Sequence, residues 1–433
     1  MAQSYVAFGG AETSRRLAAD GQGTLASPLV PLFGFGDTAA IDAFGRLRVS
    51  TPEYVFDAQL TYDLQPLLYE QVTAQSGATI THDATNRCAL MTFASTPTGG
   101  AAYMQSFEHF RYQPGRSQLA LITFNFGGGV ANVLKFAGIS AGATNGIELQ
   151  LNGTSPRVAL YSDTTAGDQM IAQAAWDDPL DGTGPSGITV DWTKAQILVI
   201  DFQALYVGRV RLALDIDGVF IPFCSIRNAN SLAYPYIQTA NLPIRCGMTC
   251  TGTVSTTMQF ICASVISEGG TIDPQGFEHS LDVAGTGGSD ARAHILSLRP
   301  KATFNSIANR SKIIIESLDF IVNSGTNNAK FELVLGQAIS GTTTFSDVNS
   351  TYSAMEYNTA GTISGSPTIV LFSGYASATG SARVTAPRKV GLRYPITLNA
   401  AGAARSLGTL SVLATGYTGT APCRVTINWR EVR

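Results

Sequence analysis

The sequence predicts an all-β protein: two β-sandwich or jelly-roll-like domains preceded by an extended N-terminal arm. Three observations carry this expectation. From Ile41 onward the chain is a series of short apolar or alternating runs such as ALMTFA, SQLALITFNF, GIELQL and RVRLALDI, the period-two pattern of half-buried strands. Gly, Asn, Asp and Pro separate these runs, as turns require. No amphipathic helical pattern intervenes, so the strands are expected to form antiparallel sandwiches and not a parallel α/β sheet. At 433 residues the chain is long enough for two such domains.

Residues 1–40 are Gly-, Ala- and Pro-rich with weak periodicity and read as an arm, with one short helix candidate from Glu12 to Ala19. Residues 41–270 form the larger sandwich, opening with FGRLRVS and closing with MQFICASVISEGG. Within it, Asp217-Gly218 between RVRLALDI and VFIPF signals a two-residue hairpin. The run DPLDGTGPSG forces consecutive turns before ITVDW. Residues 271–291 are turn-rich and are expected to be a linker. Residues 292–433 then carry a second, smaller series from HILSLRP to CRVTINWREV, the smaller C-terminal sandwich. Between Gly336 and Gly365, Gly, Ser, Thr and Asn dominate, which suits long exposed loops.

Composition excludes several classes of function. Charged residues are 14% and the formal net charge is −3, so no basic footprint marks a nucleic-acid partner. No apolar run reaches the length of a membrane span, so no insertion is expected. The start MAQSYVAFGG lacks the basic-then-apolar pattern of a secretion signal, which implies cytoplasmic synthesis. Low charge also implies burial of uncharged surface between copies of the chain. The six cysteines, Cys88, Cys224, Cys246, Cys250, Cys262 and Cys423, have no metal-ligand spacing and read as small buried apolar groups.

Motifs that suggest chemistry each have a simpler structural reading. Gly182 to Gly187 spells GxGxxG, but a dinucleotide site needs a helix after it and a strand follows. Gly138 to Gly142 spells GxSxG around Ser140, again without the helix of a nucleophile elbow. Asp201, Asp215 and Asp217 are the candidate carboxylates for glycan cleavage, and Asp217 is explained as a turn residue. Asp163, Asp168, Asp177, Asp178 and Asp181 could offer oxygens to calcium but match no calcium loop. His82 and His109 are lone histidines. Tyr62, Tyr69, Trp176, Trp192, Tyr206, Tyr234, Tyr236 and Tyr375 could stack on sugars, and Tyr234 and Tyr236, flanking Pro235, are the candidates for an exposed glycan or partner contact. No cofactor, metal or catalytic residue is expected.

Several stretches together resemble a known family: DAFGRLRVSTPEYVFDAQLTYD from Asp42, FRYQPGRSQLALITF from Phe110, WDDPLDGTGPSGITVDWTKAQILVIDFQALYVGRVRLALDIDGVFIPF from Trp176, TANLPIRCGMT from Thr239 and MQFICASVISEGG from Met258. They are similar to virion structural proteins of tailed bacteriophages and some large DNA viruses, described as minor structural, tail-associated or fibre-like. The resemblance covers residues 41–270. The resemblance implies a particle component without a catalytic centre; taken with the low charge, the leading expectation is a homo-oligomeric tail, fibre or adaptor protein, not an enzyme, located in the virion after assembly in the host cytoplasm, with itself and other virion proteins as partners and a host-surface glycan as a further contact, met by the C-terminal loops. A capsid decoration or head-fibre protein is the first alternative, and a glycan-binding or glycan-cleaving receptor protein the second. Arg46, Arg48, Arg209, Arg211 and Arg245, at alternate positions or strand ends, are expected to clamp neighbouring strands.

Overall fold

The computed structural model describes residues 4–7, 16–20, 30–32, 52–203, 205–268, 276–378, 381–385 and 395–433. In chain order the first strands are β1 (Ser4–Ala7), β2 (Arg16–Asp20), β3 (Val30–Leu32), β4 (Glu53–Gln59), β5 (Tyr69–Ala74), β6 (Ala78–Asp83), β7 (Cys88–Thr96), β8 (Ala101–Ser106) and β9 (Ser117–Asn125). They continue as β10 (Val133–Ser140), β11 (Gly146–Asn152), β12 (Ser155–Tyr161), β13 (Gln169–Ala172), β14 (Gln196–Phe202), β15 (Val210–Ile216), β16 (Val219–Ile226), β17 (Ile244–Cys250) and β18 (Val254–Glu268). Two sheets result. One has seven strands in the order β13-β12-β11-β10-β17-β8-β5, the other β16-β15-β14-β9-β18-β7-β6 with β4 added to β18.

Alternation decides which face of each strand is buried. Val133, Ala137 and Ile139 on β10 and Ile147, Leu149 and Leu151 on β11 point inward, meeting Ala120, Ile122 and Phe124 of β9 and Leu198, Ile200 and Phe202 of β14. Each such large side chain contributes about 1.5–3 kcal/mol by leaving water. Tyr69 sits edge-on to both Phe56 and Phe260, at 5.8 and 5.5 Å between centroids. The register of β15 on β16 is closed by Asp217 (φ +52°) and Gly218 (φ +81°), the two left-handed residues of a type I′ turn. That hairpin was legible in the sequence.

The second unit comprises β19 (Phe277–Ser289), β20 (Ala293–Pro300), β21 (Thr303–Phe304), β22 (Ile307–Ala308), β23 (Lys312–Val322), β24 (Ala329–Leu335), β25 (Ile339–Gly341), β26 (Ser346–Asp347), β27 (Met355–Asn358), β28 (Gly361–Ile363), β29 (Ile369–Ala376), β30 (Ser381–Thr385), β31 (Leu410–Gly416) and β32 (Ala421–Val432). Strands β19, β32, β23 and β30 lie side by side, as do β26, β27, β20, β31, β24 and β29, and a short parallel contact of β19 with β31 joins the two groups. Ile313, Ile315 and Phe320 of β23 and Val425, Ile427 and Trp429 of β32 face Leu298, Phe331, Leu333 and Val412 in a separate core. Phe320 stacks on Phe331 at 4.7 Å. Both units are antiparallel β-sandwiches, as the alternation implied.

Two expectations are corrected. Residues 277–289, expected within a linker at 271–291, form β19, which pairs with β32 over Phe277 to Gly287. Its backbone bonds do not depend on apolar side chains, and its Gly and Ser content masked the strand. The expected arm at residues 1–40 contains a three-stranded antiparallel meander, β1-β2-β3. Arg16 to Ala19, the second half of the helix candidate, lie in β2, where strand pairing overrides the helical preference of alanine. Its first half, and the run FGRLRVS with Arg46 and Arg48, lie outside the described residues.

The junction between the units is polar. Lys312 of β23 pairs with Glu108, the backbone N of Ala400 donates to Glu70 Oε2 at 2.6 Å, and the Arg405 guanidinium lies 3.5 Å over the Phe107 ring. No described helix is long and apolar enough to cross a membrane.

Candidate functional site

The outward face of the seven-stranded sheet breaks the rule that built the core. With apolar residues of β11 turned inward, the same alternation turns Glu148, Gln150 and Asn152 outward. On neighbouring strands it presents Arg157, Ala159 and Tyr161, and Tyr103, Gln105 and Arg245. Register then sets them in rows. Glu70, Gln105, Arg245, Gly138 and Glu148 lie directly opposite one another across β5, β8, β17, β10 and β11. Val72, Tyr103, Gly247, Phe136, Gln150 and Arg157 form the next row.

These side chains form one connected network. Ser140 Oγ donates to Glu148 Oε1, and the Gln150 amide donates to Glu148 Oε2 at 2.7 Å and to the Tyr161 hydroxyl at 2.8 Å. The Gln150 carbonyl oxygen in turn accepts from Arg157 Nε at 2.7 Å. Arg245 Nη1 stands 3.7 Å from Glu148 Oε1, and its guanidinium lies over the rings of Tyr103 and Phe136 at 4.3 and 4.7 Å from their centroids. Gly247 makes this close layering feasible, since a Cβ there would fall 2.2 Å from Tyr103 Cβ.

The network is costly to maintain. Glu148 and Gln150 are almost fully buried, and taking a charge from water costs several kcal/mol before pairing repays it. Burial, with Glu148 beside it, pushes the Tyr161 hydroxyl above its ordinary range, against the opposing pull of Arg157 and Arg245. Among the described residues, the buried Arg245 Nε has no hydrogen-bond partner. The outward residues Gln105, Phe136, Glu148, Gln150 and Ala159 are buried, while Tyr103 and Arg157 are half-buried and the Arg245 side chain keeps 15% of its surface, so one ring and two guanidiniums are what the face offers a ligand. Such groups match the hydroxyls and apolar ring faces of sugars.

The sequence-derived candidates fall elsewhere. Tyr236 is fully buried in the first core, whereas Tyr234 is 53% exposed, so the expected exposed pair is split. Pro235 O accepts from Thr164 Oγ1 at 2.6 Å, which ties Tyr234 to the loop that follows Tyr161. Asp201 pairs with Arg211 and accepts from Ser117 Oγ at 2.5 Å. Asp215 accepts from Gly218 N at 2.9 Å and Asp217 is a turn residue. Those three aspartates belong to the other sheet and form no cleft with Glu148. Asp168, Asp178 and Asp181 accept backbone N–H groups of their own loops, and among the described residues no group of three His, Cys, Asp or Glu could hold a metal. Gly184 lies against the Asp178 carboxylate inside the GxGxxG turn, and Ser140 of GxSxG ends a strand. His82 Nε2 lies 2.8 Å from Leu60 O. Tyr69 and Trp176 are core residues, while Tyr62, Tyr206 and Tyr375 are exposed. All six cysteines are unpaired.

Sequence reasoning missed Glu148 and Arg245 as a pair. The outward E-x-Q-x-N of GIELQLN was the available signal, but its partners come from β12 and β17, and only the register brings them together.

No family model matches the chain, and no curated protein matches it. Solved structures similar to it include a β-1,3-1,4-glucanase (lichenase) from a mouse hindgut metagenome, at 13% identity and TM-score 0.30, covering 48% of this chain and 97% of that one. A glycosyl hydrolase family protein from Mycobacterium fortuitum is similar at 14% identity and TM-score 0.33, covering 49% and 99%. A carbohydrate esterase from the Shiga toxin-encoding bacteriophage phi24B is similar at 11% identity and TM-score 0.30, covering 50% and 99%. At this level the likenesses assign no chemistry to the chain. The expectation of a protein without enzymatic activity is withdrawn, since proteins described as hydrolases and an esterase are among these similar structures; no activity is assigned from them. That expectation had weighed Asp201, Asp215 and Asp217 as carboxylates and had not considered Glu148.

Proposed function

We propose that the chain binds carbohydrate on the outward face of its seven-stranded sheet. The observation that carries this reading is the Arg245–Glu148–Gln150–Arg157 network on a sheet face, where ordinary solvated residues would cost the fold less. A buried ionic network adds little net stability over an apolar replacement, so its retention fits a binding role. Tyr234, next to Pro235 whose carbonyl is bonded by Thr164 of the loop after Tyr161, offers an exposed ring for stacking on a sugar. Glu70 and Glu148, the two carboxylates in one row, are four strand spacings or about 19 Å apart. That exceeds the ~5–9.5 Å of paired glycosidase carboxylates, so any hydrolysis at Glu148 would need a different partner.

A glycan array probed with the purified chain tests the reading, followed by reducing-end assay on every glycan retained. Retention of at least one glycan, weakened tenfold or more by Glu148→Gln, is expected. A folded chain that retains none contradicts it. Sugar release lost in Glu148→Gln would add cleavage to binding.

The resemblance of residues 41–270 to phage virion proteins supports placing this activity on a particle, as a self-assembling tail, fibre or adaptor component. Labelling of intact particles with an antibody to this chain tests that placement, and particles free of label overturn it.

A further inference from the structure

Resting on the carbohydrate reading, we propose that the sugar recognised is an acidic one, a uronate or sialate, and that Arg157 selects it. Charge on the face is unbalanced. Two guanidiniums, Arg157 and Arg245, share the network with one carboxylate, Glu148. Glu148 is already committed: it accepts from Ser140 and Gln150 and stands beside Arg245. Arg157 instead donates its Nε to the neutral Gln150 amide at 2.7 Å and makes no ion pair among the described residues. Its two terminal nitrogens are therefore left to a ligand.

Among the described residues, other acids do not correct the balance. Glu70, at the far side of the sheet, accepts from Ala400 N at the junction with the second unit. Asp163 and Asp168 follow the far end of β12, and the Asp168 carboxylate accepts from Ser162 N at 2.9 Å. Gln150 fixes Arg157 by its Nε edge, which pre-organises the planar fork that pairs bidentately with a carboxylate. Arg157 also stands half-buried on a strand next to the sheet edge, where a ligand can reach it and solvent screening is reduced. An Arg held by an amide is a poor structural ion pair and a good anion receptor.

The test uses the full chain and an array carrying uronate- and sialate-bearing oligosaccharides next to their carboxyl-reduced, neutral counterparts. Acidic members are expected to be retained at least tenfold more tightly than the reduced ones. Arg157→Gln is expected to erase that preference, lowering retention of the acidic members about tenfold more than that of the neutral counterparts, a difference of about 1.4 kcal/mol. Arg157→Lys, which keeps the charge and loses the fork, is expected to keep part of the preference and guards against a folding defect in the first variant. Equal retention of acidic and reduced sugars overturns the selectivity and leaves the carbohydrate reading standing. A preference unchanged in Arg157→Gln overturns the role of Arg157. Absence of retention on every sugar overturns both.

Discussion

Arg245 lies flat over Tyr103, its guanidinium carbon 4.3 Å from the ring centroid, while its Nη1 faces Glu148 Oε1 at 3.7 Å. One side chain thus joins the aromatic and acidic halves of the candidate face. Replacing it by methionine keeps volume but strands a buried Glu148 carboxylate. Breaking a buried pair and losing a cation–π contact costs roughly 2–4 kcal/mol. Urea unfolding of Arg245→Met should show that loss, and the double variant with Glu148→Gln should recover part of it because no unpaired charge remains.

Lys135 points into the first core from β10, where its ammonium donates to Phe126 O at 2.5 Å, Gly128 O at 3.1 Å, Thr256 Oγ1 at 2.9 Å and Thr257 O at 2.8 Å. Burial pulls its pKa down to about 8. Those contacts bind the loop after β9 to β18. Lys135→Met should cost about 2–4 kcal/mol by leaving buried carbonyls unpaired, read as a lowered midpoint in urea. An unchanged midpoint would mean that water or backbone movement replaces the ammonium.

His109 is buried at the junction of the two units, and burial first, then the nearby Arg310 guanidinium, hold its pKa down to about 3 from 6.5. An unfolded imidazole takes up a proton below about 6.5, whereas the folded one stays neutral until about 3. The unfolded state therefore binds more protons in that window. Stability is full above it and falls as pH drops through it, by at most about 1.4 kcal/mol per pH unit. Thermal melts from pH 7 to 4 should lose less in His109→Gln than in the parent chain, and parallel curves would contradict the assignment.

Gly247 has Tyr103 against its backbone, and a Cβ there would sit 2.2 Å from Tyr103 Cβ. Gly247→Ala should therefore displace Tyr103, destabilise the sheet by roughly 1–3 kcal/mol and weaken any ligand bound at Arg245. A variant with parent stability and binding would show that the close layering has no role.

The fold class was legible because alternation in runs such as GIELQL and RVRLALDI reports burial directly, and Asp217-Gly218 reports its own turn. Strand β19 was hidden because FEHSLDVAGTGGS carries small residues on a strand held by eleven residues of pairing with β32, a long-range fact with no local signature. Tyr236 looked like the twin of Tyr234, yet the pair diverges: Tyr236 N donates to Tyr206 O at 2.9 Å and its ring enters the core. The candidate face was illegible for a related reason. Glu148, Arg157 and Arg245 come from three strands, and a one-residue change of register would turn each of them to the core side.

Carbohydrate binding on the outward sheet face is measured by glycan-array retention of the parent chain against Glu148→Gln, with both shown to be folded by circular dichroism. The parent is expected to retain at least one glycan and the variant to lose tenfold or more of that retention. Equal retention by both chains, or none by either, would contradict it.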